Sequence, residues 1–146
     1  MDVRRALSDD LKSVASLLEA VGLPALPERL PLQNCLVALD GGHVVGAAAL
    51  EVRGLRGHLC SLAVDSGRRR QGLGHSLLES ILARAHELSL RELYVLPRDE
   101  RAFFEKEGFL AVESDDVARE IRALPVFREA GEDGGVLRFP LASRCV

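Results

Sequence analysis

A chain of 146 residues, 47% hydrophobic and 28% charged, is sized for one core and composed like a globular protein, which excludes a disordered one. Its net charge of −3 argues against a general nucleic-acid binder. Three widely spaced cysteines, Cys35, Cys60 and Cys145, form neither a disulfide framework nor a paired metal motif; "MDVRRALSDD" is no apolar leader and no run is long enough to span a membrane, so a cytoplasmic protein is expected.

"DVRRAL" reads as a short first strand. Ser8 or Asp9 then caps a helix from about Asp10 to Val21, where Leu11, Val14, Ala15, Leu17, Leu18 and Val21 draw one apolar stripe. "GLPALPERLP" carries three prolines and reads as a connector. In "NCLVALDGGHVVGAAALEVRG" two β-prone runs flank Asp40-Gly41-Gly42, a hairpin signal. "GHLCSLAVDS" is a further strand. "GLGHSLLESILARAHELSL" is a helix burying Leu73, Leu77, Leu78, Ile81, Leu82 and Ala85. "RELYVLP" is a strand ended by Pro97, and "RDERAFFEKEGF" a short helix closed by Gly108. "DDVAREIRAL" offers another helix turn or two. "GGVLRFPL" is the last strand, placed at a sheet edge by Pro140. Strands followed by alternating helices and strands predict an α/β (α+β) domain with a mixed sheet, and no linker divides residues 1–146.

The passage "LCSLAV", "DSGRRRQGLG", then helix has a distinct chemistry. The first amides of a helix lack internal partners and its dipole makes that end electropositive, so a glycine-bearing loop there is an anion seat. Two phosphate motifs fail. Gly67 and Gly72 have P-loop separation, but Leu73-Gly74 stands where Lys and Ser or Thr are needed. Gly72-x-Gly74 opens a dinucleotide fingerprint, but Leu77 occupies the third glycine position. A nucleic-acid patch is disfavoured because the basic run is short, lacks neighbouring aromatics and sits on an acidic chain.

Arg69-x-x-Gly72-x-Gly74 instead resembles the Q/R-x-x-G-x-G/A motif of the GNAT superfamily of N-acetyltransferases. "SLAVDSGRRRQGLG" is similar to that family's passage from fourth strand to the following helix, and "FFEKEGF" resembles its later A-x-x-x-Y/F-E-K-x-G-F segment. The resemblance covers most of the chain. It implies the acyl-CoA N-acyltransferase fold, a mixed central sheet flanked by helices, as one N-acetyltransferase domain. The fourth and fifth strands would splay around the pantetheine arm of acetyl-CoA, with no metal. Backbone of Leu62, Ala63 and Val64 would meet that arm. Arg69, Arg70, Gln71, Gly72, Leu73, Gly74 and His75 would surround the pyrophosphate, with Arg68 adding positive field.

Acetyl transfer from a thioester to an amine needs a proton acceptor for the amine, and the leaving thiolate benefits from a donor. In several relatives the base lies four residues before the position of Leu62, which here is His58. Period-two alternation puts His58, Cys60 and Leu62 on one strand face; the competing reading is a strand-end histidine facing water. Cys60 is the second catalytic candidate, as an acetyl-carrying nucleophile or a proton donor, against the reading of a small buried residue. The family often has a tyrosine where this chain has Phe104, so that hydroxyl is missing, and Phe104 is left as a possible wall of the cofactor groove. Tyr94 is assigned to the core.

The tail "DDVAREIRALPVF" resembles two subgroups, the arsenic-resistance-associated acetyltransferases and the amino-acid N-acetyltransferases. An amino-acid carboxylate would want a cation, for which Arg53, Arg56 and Arg122 are candidates. Three functions follow: acetylation of a small-molecule amine such as an amino acid, acetylation of a protein or peptide, or a non-catalytic acetyl-CoA-binding module. Family members often form homodimers; neither nucleic acid nor membrane is an expected partner.

Overall fold

The computed structural model describes residues 2–69, 71–130 and 135–141. One seven-stranded sheet runs in the order β1-β2-β3-β4-β5-β7-β6. The chain divides into two compact units, Met1–Glu51 with Leu59–Arg84, and Val52–His58 with Ala85–Val146.

In the first unit β1 (Asp2–Arg5) pairs antiparallel with β2 (Cys35–Asp40), and β2 with β3 (His43–Arg53). The expected tight turn is present: Gly41 and Gly42 sit at φ +58° and +82°, which a two-residue hairpin loop of matching twist requires. Helix α1 (Leu11–Ala20) lays Val14, Leu17 and Leu18 on Ala6, Cys35, Val37, Ala47 and Ala63. It ends in a Schellman turn, with Leu23 N–H donating to Leu18 O at 2.8 Å and Gly22 N–H to Glu19 O at 3.1 Å. Helix α2 (Leu73–Glu87) buries Leu73, Leu77, Leu78, Ile81 and Ala85 as its periodicity demands, while Leu82 is half-buried. Leu77 reaches β3 at Gly46, where a Cβ would stand 2.9 Å from Leu77 Cδ1; the missing side chain lets the helix seat closely.

The start of the first helix differs from expectation. Neither Ser8 nor Asp9 caps α1; a 3-10 turn over Ser8–Asp10 precedes it, and Asp10 reaches back to accept Leu7 N–H at 2.7 Å. Asp10 also accepts from Arg4 at 2.7 Å. Arg4 first, and the Leu7 amide second, hold the Asp10 carboxyl below its ordinary range. A carboxylate depressed in the folded state stabilises above its unfolded pKa, about 3.9, and loses that contribution as pH falls through the folded value. The difference in thermal midpoint between the wild type and Asp10→Asn should therefore be full at neutral pH. It should shrink below about pH 4 and vanish in stronger acid; a difference unchanged down to pH 2 would contradict this assignment.

In the second unit β5 (Glu92–Val95) runs parallel to the start of β4 (Arg56–Val64), with Arg56↔Glu92, Gly57↔Leu93 and His58↔Tyr94 opposite one another. Then β7 (Leu137–Pro140) pairs antiparallel with β5, and the two-residue β6 (Leu110–Ala111) with β7. Strand β7 is thus interior, not the edge that Pro140 implied. Leu141 N–H donates to Arg91 O at 2.9 Å, so Glu92↔Pro140 is the adjacent non-hydrogen-bonded pair and the proline nitrogen faces away from β5. On that side β6 pairs only with Leu137 and Arg138, so the missing donor breaks no rung.

Helix α3 (Arg101–Lys106) closes at Gly108, φ +105°, as expected. The acidic segment after it forms a 3-10 turn over Ser114–Asp116, then α4 (Arg119–Arg122) and α5 (Pro125–Ala130). Pro125 separates the two helices and opens the second, a position where its absent N–H costs nothing. Val117, Ile121, Leu124 and Phe127 pack with Tyr94, which is fully buried and whose hydroxyl accepts Ala118 N–H at 3.3 Å. Tyr94 is a core residue with its polar tip satisfied at the start of α4.

Candidate functional site

The loop between β4 and α2 is preformed by its own backbone. Asp65 N–H donates to Val45 O at 2.8 Å, carrying the strand past its formal end. The Asp65 carboxylate then accepts Gly67 N–H at 3.3 Å, and Arg68 N–H donates to Asp65 O at 2.8 Å, closing a 3-10 turn over Ser66–Arg68. Arg69 follows in an extended conformation and is exposed, as are Gln71 and Gly72. Arg70 lies outside the described residues.

Gly72 is the hinge of the seat. Its φ is +77°, and its carbonyl accepts Ser76 N–H at 3.0 Å, the first rung of α2. The amides of Leu73, Gly74 and His75 therefore stand ahead of the helix's own ladder, at its electropositive end. Among the described residues, and its two chain neighbours aside, a Cβ on Gly72 would meet no atom within 4 Å. The Cβ side of Gly72 is thus open, which is what close approach of a phosphate to this turn needs. Leu73 is buried and anchors the turn; Gly74 is half-buried. His75 is exposed, with Nε2 2.9 Å from Glu79 Oε1 one turn on. The group that fits this seat is a phosphate or pyrophosphate, because the donors are backbone amides of a fifteen-residue helix. Gly72→Val should weaken binding of the CoA that the resemblance implies at least about tenfold, combining backbone strain of roughly 1–2 kcal/mol with a side chain in the approach space. Calorimetric titration reads this; affinity within twofold of wild type would rule out the seat.

Along β4, Leu59, Ser61 and Ala63 are buried while Cys60, Leu62 and Val64 are half-buried. The alternation runs only from Cys60 to Val64; Gly57, His58 and Leu59 are all buried, so the burial pattern does not set His58 on the half-buried face with Cys60 and Leu62 as the sequence reading expected. Cys60 Sγ donates to Ala49 O at 3.4 Å, and burial pushes its thiol up to about 12. A thiol so held is protonated at neutral pH and is no nucleophile. It also yields its proton less readily than an ordinary thiol, whose pKa is about 8.5. Its desolvation and its hydrogen bond to Ala49 favour the small packed residue over either catalytic reading of Cys60.

His58 is 4% exposed. Its ring meets Phe127 edge-on, centroids 4.9 Å apart at 75°. The water-facing alternative is thereby overturned: α5, which the hydrophobic pattern did not reveal, covers the ring. Phe104 is 1% exposed and lies in a run of ring contacts, 5.2 Å to Phe103 and 5.3 Å to Phe109, which touches Phe139 in turn. It is a core residue, not an exposed groove wall.

The candidate carboxylate-binding arginines separate. Arg56 is engaged by Glu92 at 3.0 Å and Glu120 at 3.3 Å, which raise its pKa further and commit its charge. Arg53 donates to Val52 O at 2.8 Å, and Arg122 is exposed on α4. A separate open cavity of about 440 Å³ in the first unit is lined by Lys12, Ser13, Ser16 and His43 among others. Of the described residues of the β4–α2 loop, only Asp65 borders it. Among the described residues no group of three or more His, Cys, Asp or Glu could hold a metal, and no helix is long and apolar enough to cross a membrane.

Residues 31–110 match the acetyltransferase (GNAT) domain family. An amino-acid acetyltransferase of Mycobacterium tuberculosis is 30% identical over 129 residues, 82% of this chain and 74% of that protein. Among solved structures, the N-acetylglutamate synthase of Neisseria gonorrhoeae, complexed with coenzyme A and N-acetyl-glutamate, superposes with a TM-score of 0.83 at 24% identity. That match covers 97% of this chain, which spans about a third (35%) of the synthase. The M. tuberculosis protein Rv2747, solved with CoA, gives a TM-score of 0.82 at 24% identity, covering 97% of this chain and 100% of that one.

Proposed function

The chain belongs to the GNAT acetyltransferase family, and from that premise we propose that it moves an acetyl group from acetyl-CoA directly to the primary amine of an amino acid or close analogue. The observation that carries the donor half is the Gly72 turn, which presents the amides opening α2 to open space. The acceptor half is supported by the 30% identity to a protein named amino-acid acetyltransferase.

Acetyl-CoA supplies an acyl group already activated as a thioester. The protein's own residues do the rest. Backbone of Leu62, Ala63 and Val64 holds the extended arm, and the amides from Gln71 to His75 take the pyrophosphate, with Arg69 adding charge at the loop's exposed side. His58 accepts the proton that the ammonium must lose, directly or through a water. With phenylalanine at position 104 and a tightly held proton on Cys60, solvent protonates the departing thiolate. Residues 1–146 work together as one acetyltransferase domain.

A thiol-release assay over a panel of amines tests the acceptor. An α-amino acid should be turned over at least about tenfold faster than the same amine without its carboxylate, the margin that one paired carboxylate supports. If CoA stabilises the protein but no α-amino acid releases thiol, the acceptor is of another class.

A further inference from the structure

The three adjacent arginines of the β4–α2 loop invite the reading that all of them face phosphate, but Arg68 is already committed. Its guanidinium pairs with the carboxylate of Asp40, the last residue of β2. Both ends of that pair are fixed by backbone. Asp40 stands opposite His43 across the Gly41-Gly42 turn, so the ladder sets its place. Arg68 ends the 3-10 turn that Asp65 organises through its carbonyl and carboxylate. The ion pair therefore ties the tip of the β2–β3 hairpin to the loop immediately before Arg69 and Gly72.

We infer that Arg68 is a strut and not a phosphate ligand: Asp40 withdraws its charge from the anion seat and uses it to hold the loop in the shape that presents the α2 amides. This rests on the acetyl-CoA reading above. Asp40 and Arg68 are positioning residues, acting through the loop. Their side chains are 38% and 39% exposed, so the bridge is screened and adds little to global stability. Its effect belongs to the shape of the loop, where it adds to the turn that Asp65 organises.

The two readings of Arg68 predict opposite signs. If Arg68 were a phosphate ligand restrained by a competing carboxylate, removing the charge of Asp40 would free the guanidinium, relieve repulsion of the phosphates and tighten binding. If Arg68 is a strut, removing Asp40 loosens the loop and weakens binding, although the site has become more positive.

The test is calorimetric titration of the whole chain with CoA, comparing wild type, Asp40→Asn, Arg68→Gln and the double variant. Each single change should weaken affinity about two- to fivefold, the range a half-exposed ion pair supports. The double variant should be no weaker than either single one, because one interaction is lost in all three. Asp40→Glu should recover most of the affinity, and unliganded midpoints should stay within about 2 °C of wild type. Tighter binding by Asp40→Asn, additive losses, or unchanged affinities would each overturn the strut. Wild-type protein that fails to bind CoA at all would overturn the donor reading and the strut with it; wild-type binding with unaffected variants would remove the strut alone.

Discussion

Replacing His58 with alanine should lower turnover about 10²- to 10⁴-fold, the span that a positioned general base contributes. The setting makes the experiment readable. His58 stands opposite Tyr94 on a paired strand, and its ring is held edge-on by Phe127. If His58 is the base proposed above, that function goes with the ring. The alanine variant also removes a buried ring and leaves a void beside Phe127, so some stability is lost as well. His58→Gln separates the two effects: it refills most of the volume with a polar side chain that cannot accept a full proton. Both variants should show the same fall in turnover, while only the alanine variant shows the larger fall in melting temperature. CoA affinity should be unchanged in both, since the amides of α2 do not depend on the imidazole. Turnover within twofold of wild type in the glutamine variant would remove His58 from the chemistry.

What the sequence made legible was local. The Gly41-Gly42 hairpin, the stripe on α2 and the closure of α3 at Gly108 each follow from a period or a backbone angle within a few residues, and each is present. The turn and helix start proposed as the anion seat were legible for the same reason, since a strand, a glycine and a helix start are consecutive in the chain. Asp65 escaped notice although its signal was there: an Asp-Ser-Gly run at a strand end is an ordinary turn cap. The Asp40–Arg68 pair had no such signal, because partners 28 positions apart leave no mark on periodicity. The position of β7 failed on the same distance problem. Pro140 correctly announced a missing donor, but only the shortness of β6 explains why an interior strand tolerates it. Likewise the burial of His58 depends on α5, a six-residue helix whose one strong cue was the proline that opens it.

The residue where resemblance and packing pull in different directions is Phe104. It occupies a place that is often tyrosine in the family, so Phe104→Tyr would be the natural attempt to restore a proton donor. The structure predicts that this fails. The whole side chain is 1% exposed, and rings at 5.2 and 5.3 Å crowd it. An added hydroxyl would have to be desolvated without a prepared partner, at a cost of roughly 1–3 kcal/mol. Turnover should rise less than twofold and the melting temperature should fall by several degrees. Phe104→Ala carries the largest stability effect among the variants proposed for this chain. Truncating a fully buried phenylalanine costs about 3–5 kcal/mol, lowering the midpoint by about 10–15 °C for a protein of this size. The pair of variants decides what the position is for. If tyrosine destabilises and alanine destabilises more, Phe104 serves packing and the thiolate leaves without help from this residue. If tyrosine is as stable as phenylalanine and turnover rises severalfold, the ring's far edge borders the reacting thiol, and the missing hydroxyl is a brake on this enzyme.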